Sequence, residues 1–308
     1  MPGPRIVDLG GDRQMLDLGF RDEEGLIAAY LLPLPEGWAL IETGPTTCRD
    51  HLLRGLEAAG VDRDEVRDVL VTHIHLDHAG GVGALAELLP RAVFHAHELG
   101  IPHLADPSRL VAGARRVWGE ASDRLWGVVA PTPVPRLHGL RGGETLPLRD
   151  GSLQILATPG HAKHHLAFFD TAARAVFTGD GAGVLLEGSS RLRPAVPPPD
   201  LDLEQLYASL DLMRQTEPRL VLLSHFGPTP NGAADLQRYR VEVERWRAVA
   251  LAAARERADV EYIAGRLREL DAPGAAEDRA SLVSGYDLAA QGFLRYFRVH
   301  GDIPAATA

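Results

Sequence analysis

Apolar positions run along the first half of this chain in two alternating rhythms. "GWALIETG" (37–44) is a short apolar run closed by a glycine turn and predicts a strand. "CRDHLLRGLEAAGVD" (48–62) then sets Leu52, Leu53, Leu56 and Ala59 on one helical face. "VRDVLVTH" (66–73) predicts a second strand, "GVGALAELLP" (81–90) a helix closed by Pro90, and "RAVFHAHE" (91–98) a third strand. Residues 98–135 break the rhythm. "LVAGARRVWGEASDRLWGVV" reads as helix with Trp118 and Trp126 as bulky apolar anchors, and "APTPVP" as an extended connection; the stretch is an expected insertion covering one side of a site. Strands resume at "GSLQILATPGH", "HHLAFFD", "ARAVFTGD" and "PRLVLLSH". The proline-rich connector "RLRPAVPPPD" leads into the helix "LDLEQLYASLDLMRQTEP", with Asp200 or Asp202 as N-cap. This alternation predicts a layered α/β fold.

From residue 231 the pattern is helical. Residues 233–270 predict one long helix or two, "PGAA" a break, 278–299 a last helix, and "PAATA" a loose tail. The expected organisation is a core of 1–230, with 98–135 inserted near its site, and a helical extension of 231–308. Tyr286, Phe293, Tyr296 and Phe297 recur at helical spacing. Either they complete the core, or they furnish substrate contacts or a dimer surface.

Composition narrows the chemistry. Of 308 residues 45% are hydrophobic and 24% charged, as in ordinary globular proteins, and the formal net charge is −10. Lys163 is the only lysine, and no basic stripe stands out, so nucleic acid is disfavoured as a partner. The single cysteine, Cys48, excludes an internal disulfide and a thiolate metal site. No run reaches the ~18 apolar residues of a membrane span and no signal-peptide pattern opens the chain, so the expected location is the cytoplasm.

Histidine and carboxylate then recur at one kind of position. "VTHIHLDHAGG" (71–81) packs His73, His75, Asp77 and His78 behind an apolar run. Glu42, His161, Asp180 and His225 follow four further apolar runs. In layered α/β proteins the carboxyl ends of strands face a common crevice. If the segment stays extended, alternation places His73, His75 and Asp77 on one side, while Gly80 and Gly81 admit close backbone approach. Imidazole and carboxylate without sulfur suit Zn²⁺, and also Fe or Mn. The donors are too many for one tetrahedral ion and right for two.

With "HIHLDH", "TPGH", "TGD" and "SH" in that order over about residues 25–230, the chain resembles the metallo-β-lactamase superfamily. The resemblance implies a four-layer αββα sandwich with a dinuclear site at one edge, here followed by a C-terminal helical extension. It implies that His73, His75 and His161 hold one metal, that Asp77, His78 and His225 hold the other, and that Asp180 bridges them. The family's first motif often carries aspartate where this chain has Glu42, which either supports the ligands from behind or acts as a structural cap. His165 has counterparts in "TPGHTPGH" relatives, as ligand support, substrate contact or packing. His103 lies beside the expected cover.

The implied chemistry is hydrolysis of a small ester, lactone, thioester or phosphoester by a metal-bridging hydroxide, with Asp77 orienting water or passing a proton. No G-x-S-x-G elbow offers a serine nucleophile. The alternatives on the same fold are an iron-dependent oxidoreductase of the persulfide dioxygenase kind and a nuclease. The expected partner is a small molecule, with a homodimer as a further possibility.

Overall fold

The alternation along β10 (Leu166–Asp170) sets the layers. Leu166 and Phe168 point to one apolar core while Ala167 and Phe169 point to another. In this computed structural model, which describes residues 4–189, 191–229, 231–271 and 279–304, two sheets lie face to face. The first sheet has seven strands in sequence order: β1 (Ile6–Gly10), β2 (Arg13–Asp17), β3 (Ala28–Pro33), β4 (Trp38–Ile41), β5 (Val66–Leu70), β6 (Val93–His97) and β7 (Leu137–Leu140). Its first four strands are antiparallel neighbours; β4 to β7 run parallel. The second sheet is ordered β13 (Gly227–Pro228), β12 (Leu220–Leu223), β11 (Ala175–Phe177), β10, β9 (Gly151–Ala157) and β8 (Thr145–Leu148).

Tyr30 of β3 meets Phe177 of β11 edge-on across the sandwich, with centroids 5.0 Å apart. Its hydroxyl donates to the carbonyl of Leu223. Helices α1 (Arg49–Ala58) and α3 (Val82–Leu88) bury Leu52, Leu56 and Leu85 against this core. The far side of the second sheet is covered by α7 (Leu203–Gln215), α8 (Ala233–Glu256), α9 (Val260–Asp271) and α10 (Tyr286–Val299). The four layers expected from the resemblance are therefore present, with the C-terminal helices. Asp202, rather than Asp200, caps α7 by accepting from the Gln205 amide at 3.0 Å. No helix among the described residues is long and apolar enough to cross a membrane.

Several elements escaped the pattern. β1 and β2 form a hairpin whose turn, Gly10-Gly11-Asp12, takes positive φ throughout; "GGD" was its signal. β3 is buried at every position, so it shows no alternation. Residues 98–135 form the crossover between the parallel strands β6 and β7, which an elaborate connection must span. It holds α4 (Ile101–Ala105), α5 (Ser108–Trp118) and α6 (Ala121–Trp126), α5 and α6 being separated at Gly119, whose φ is 55°. Tyr286, Phe293, Tyr296 and Phe297 are all buried in the core under the second sheet, which favours the first of the two readings for those aromatic residues. The expected "PGAA" break, and all of the tail beyond Pro304, lie outside the described residues.

Gly292 of α10 shows how tightly these helices sit. A Cβ there would lie 1.9 Å from the backbone oxygen of Val196 in the proline-rich connector. Gly292→Ala is expected to cost about 1–3 kcal/mol by overpacking and to lower the melting temperature by several degrees. Gly265→Ala in α9, where a Cβ meets nothing, is expected to leave it unchanged or raise it slightly. Thermal unfolding of both variants checks the pair; equal shifts would refute the contact.

Candidate metal centre

All the expected donors lie on one rim of the sandwich, but past the strand ends. β5 stops at Leu70 and His73 follows three residues later. β9 stops at Ala157 before His161, β11 at Phe177 before Asp180, and β12 at Leu223 before His225. The stretch after β5 is not extended throughout. Leu76–Ala79 forms a single helical turn, α2, so Asp77 and His78 are aimed by helical geometry and the simple alternation expected for Asp77 fails. Gly80 and Gly81 do meet backbone closely, at Pro45 and Gly44.

The donor atoms fall into overlapping groups, each within 4.8 Å: His73, His75 and His161; His73, His78 and Asp180; Asp77, His78 and His225. His75 Nδ1 lies 3.0 Å from both His73 Nε2 and His161 Nε2. His225 Nε2 lies 3.3 Å from His78 Nε2. Asp180 spans the groups: Oδ1 is 3.3 Å from His78 Nε2 and 3.4 Å from His225 Nε2, while Oδ2 is 3.5 Å from His161 Nε2. Asp77 Oδ2 is 3.6 Å from His225 Nε2 and 3.7 Å from His78 Nε2.

The outward nitrogens explain this convergence. His161 Nδ1 donates to the Ala195 carbonyl at 2.9 Å, and His225 Nδ1 to the Leu26 carbonyl at 2.8 Å. His78 Nδ1 donates to Glu42 Oε1 at 3.2 Å. The Thr72 hydroxyl donates to the same Glu42 oxygen at 2.5 Å, which leaves it to accept from His73 Nδ1 at 3.0 Å. Each ring thereby turns an Nε2 lone pair inward; His75 alone presents Nδ1. This is the arrangement that outer partners impose on metal-binding histidines. Glu42 also accepts from Ser224 at 3.1 Å and is fully buried. Its φ of 68° is uncommon for a residue with a side chain, a local strain retained where the carboxylate must reach three donors.

Electrostatics tests whether cations fit. Burial, reinforced by neighbouring rings, holds His73 well below the ordinary imidazole range and pushes His75 down to about 3, so both are neutral donors. Burial would raise Asp77 and Asp180, but the facing histidines outweigh it and hold both carboxylates low. Burial would likewise lower His78, but Asp180, Asp77 and Glu42 outweigh it and hold that ring high. The pocket thus assembles buried negative charge and converging lone pairs. Asp180 Oδ1 has no hydrogen-bond partner although buried. An orphaned carboxylate oxygen beside nitrogens at 3.3–3.4 Å fits divalent cations better than any protein donor present.

The remaining candidates separate. His165 is buried behind the cluster, its Nδ1 2.8 Å from the Thr158 hydroxyl and its ring centroid 5.2 Å from that of His73; it backs His73 and does not line the open side. His103 on α4 does line the open side, together with His164, which the sequence reading left without a role. His95 turns away, with Nε2 2.7 Å from Asp68. Cys48 is buried and its thiol is pushed up to about 12, chiefly by burial, so it takes no part in the rim. Sequence reasoning missed the supporting partners Thr72, Ser224 and the Ala195 carbonyl. A hydroxyl immediately before His73 and another before His225 were the available signals.

The open side is a cleft of about 560 Å³. Its floor includes His75, Asp77, His161 and Asp180, and its walls come from α5, α6, residues 195–200 and the start of α10. Within the 98–135 segment, His103, Arg109, Arg116, Trp118 and Trp126 are among the residues that line this cleft.

A two-sheet αββα sandwich whose histidine and carboxylate side chains converge at one rim, beneath a cleft, defines a class of metal-site proteins. The chain belongs to the metallo-beta-lactamase superfamily, whose family model matches residues 23–225. Hydroxyacylglutathione hydrolase from Jannaschia sp. (strain CCS1) is 30% identical over 195 residues, 62% of this chain and 60% of that protein. The chain thus spans about three fifths of that relative's length, and less of several others. Among solved structures, the metallo-beta-lactamase superfamily protein ST1585 from Sulfolobus tokodaii shares the fold with a TM-score of 0.65 at 18% identity, over 95% of this chain and 98% of that one. The structure of TTHA1623 in a di-iron-bound form gives a TM-score of 0.53 at 29% identity, over 69% of this chain and 93% of that one.

Proposed function

We propose that this protein is a metal-dependent hydrolase of small acyl compounds, with thioesters and esters ahead of lactones and phosphoesters. One observation carries the reading: overlapping donor groups, spanned by the single carboxylate of Asp180, open onto a cleft of substrate size. In this reading His73, His75 and His161 hold one divalent ion, Asp77, His78 and His225 the second, and Asp180 both. Ions so held lower the pKa of water and polarise an acyl oxygen, chemistry that needs no serine or cysteine nucleophile. The chain's own residues do the rest. Glu42 and the Ala195 and Leu26 carbonyls fix ring orientation. Asp77, which lines the cleft, is placed to orient water or pass a proton. The similarity to a hydroxyacylglutathione hydrolase supports thioesters first.

The similarity to TTHA1623 in its di-iron form keeps iron beside zinc and manganese as the metal, and with it an oxidoreductase reading. The test loads the protein with each metal in turn. It then measures hydrolysis of a hydroxyacylglutathione, short acyl esters, a lactone and a phosphoester, alongside oxygen uptake with a persulfide. Metal-dependent thioester or ester turnover is the expected result. Oxygen uptake by the iron form without any hydrolysis would replace this reading by the oxidoreductase one.

A further inference from the structure

The wall of the cleft has a composition that the metal centre does not explain. α5 contains no fully buried residue, yet it is not a plain solvent-facing helix. Leu110, Ala114 and Trp118 pack partly against the core. Beside them Arg109, Gly113, Arg116 and Val117 face the cleft, and Val117 is 50% exposed. Opposite stand Val196, Pro197 and Pro198 of the connector and Val283, Leu288 and Ala289 near the start of α10. The lining away from the floor is thus largely apolar, with two guanidinium groups set into it.

Those two arginines are unlike their neighbour. Arg115, between them in sequence, pairs with Asp123 at 3.1 Å. Neither Arg109 nor Arg116 forms an ion pair among the described residues. The other charges facing the cleft are already engaged: Asp200 pairs with Lys163 at 3.0 Å, and Asp77 and Asp180 belong to the floor. His103 and His164 add polar edges without a fixed negative charge. Asp106, three residues before Arg109, accepts from the Ser108 amide at 3.1 Å and lies within the field of Arg109 without forming an ion pair with it. In a chain of net charge −10, two unpaired arginines seven positions apart on one cleft-lining helix are a local exception.

We propose that the cleft takes an amphipathic substrate, an apolar acyl chain lying between α5 and α10 whose far end carries an anionic group held by Arg109 and Arg116. The inference rests on the hydrolase reading for the fate of the acyl bond, and on the cleft alone for what binds. Apolar walls reward the chain by burial. Guanidinium groups recognise carboxylate or phosphate through charge-assisted, bidentate hydrogen bonds. A short hydrophilic acyl group would leave these walls uncovered.

Two measurements test it on the whole 308-residue chain, the first in its metal-loaded form. The first compares kcat/KM for p-nitrophenyl hexanoate and for p-nitrophenyl hydrogen adipate, which has the same six-carbon acyl chain ending in a carboxylate. The acid-ended ester is expected to be preferred about tenfold, and Arg109→Gln with Arg116→Gln to bring the ratio to about one. A wild-type ratio of one or less, or a ratio the double variant leaves intact, overturns the proposal. The second follows tryptophan fluorescence, since Trp118 and Trp126 line the cleft. It titrates octanoate and octyl phosphate against octanamide, with and without zinc. Tighter, arginine-dependent binding of either anion supports the proposal even if no ester is hydrolysed, and in that event the hydrolase reading alone falls. Equal binding of all three overturns the proposal while leaving ester turnover to stand on its own; the tighter of the two anions identifies the head group.

Discussion

Asp180→Asn is expected to lower hydrolysis of the best substrate by about 10³-fold or more and to cut the bound metal from two ions per chain to one or fewer. The replacement keeps the shape of the side chain and removes its charge. Asp180 Oδ1 approaches His78 and His225, and Oδ2 approaches His161; among the described residues no other carboxylate is seen to reach the nitrogens of both proposed metal positions. Losing several kcal/mol of charge stabilisation at such a position corresponds to about three decades in rate. Asparagine also offers a metal only one neutral oxygen, and its N–H₂ donates to a ring lone pair that the metal would otherwise use. Elemental analysis of purified protein, together with kcat/KM, checks both parts. Retention of two metals and full activity would remove the bridging role and, with it, the dinuclear reading.

Glu42 is expected to show the second largest effect although it lies behind the donors. Glu42→Ala strands three buried donors at once, those of Thr72, His78 and Ser224. Because His73 is held through Thr72 and His78 directly, one change loosens a ring from each donor group. Outer partners of metal-bound histidines are worth about 10–100-fold in metal affinity, and Glu42→Ala belongs at the upper end of that range. Glu42→Gln keeps an acceptor oxygen and the buried volume, so its loss should be about tenfold or less. Competition with a chelator of known affinity measures both. Alanine and wild type releasing metal alike would mean that Glu42 merely caps its loop, the other role the sequence left open. Glu42→Asp separates reach from charge, because aspartate tolerates a positive φ better than glutamate but is shorter by one methylene.

Much of this was legible before the fold. Apolar runs predicted the central strands, and the polar residue types after them predicted the donors, because a metal site needs lone pairs of particular kinds and short motifs preserve them. Legibility stopped where chemistry stops being local. β3 was invisible because burial on both faces removes the alternation that marks a strand. Asp77 was misplaced because nothing in "HIHLDH" says where extended backbone gives way to the turn of α2. His164 and His165 are adjacent in sequence, yet one lines the cleft and the other packs behind His73. A turn closed by the His165 amide donating to the Ala162 carbonyl at 3.2 Å sets the two rings on different sides.

By itself, then, the sequence determined the layered class, the superfamily's motif order and the list of metal-competent side chains. Those depend on residue type and on short-range spacing. Only the tertiary structure decided which nitrogen each ring turns inward, because the partners that set it come from far along the chain. Leu26 holds His225, Ala195 holds His161, and Glu42 holds His78. Only the tertiary structure, likewise, set Arg109 and Arg116 on the wall of the same cleft. A hydrogen bond needs its partners within about 3 Å, and only folding brings residues 34 to 199 positions apart to that distance.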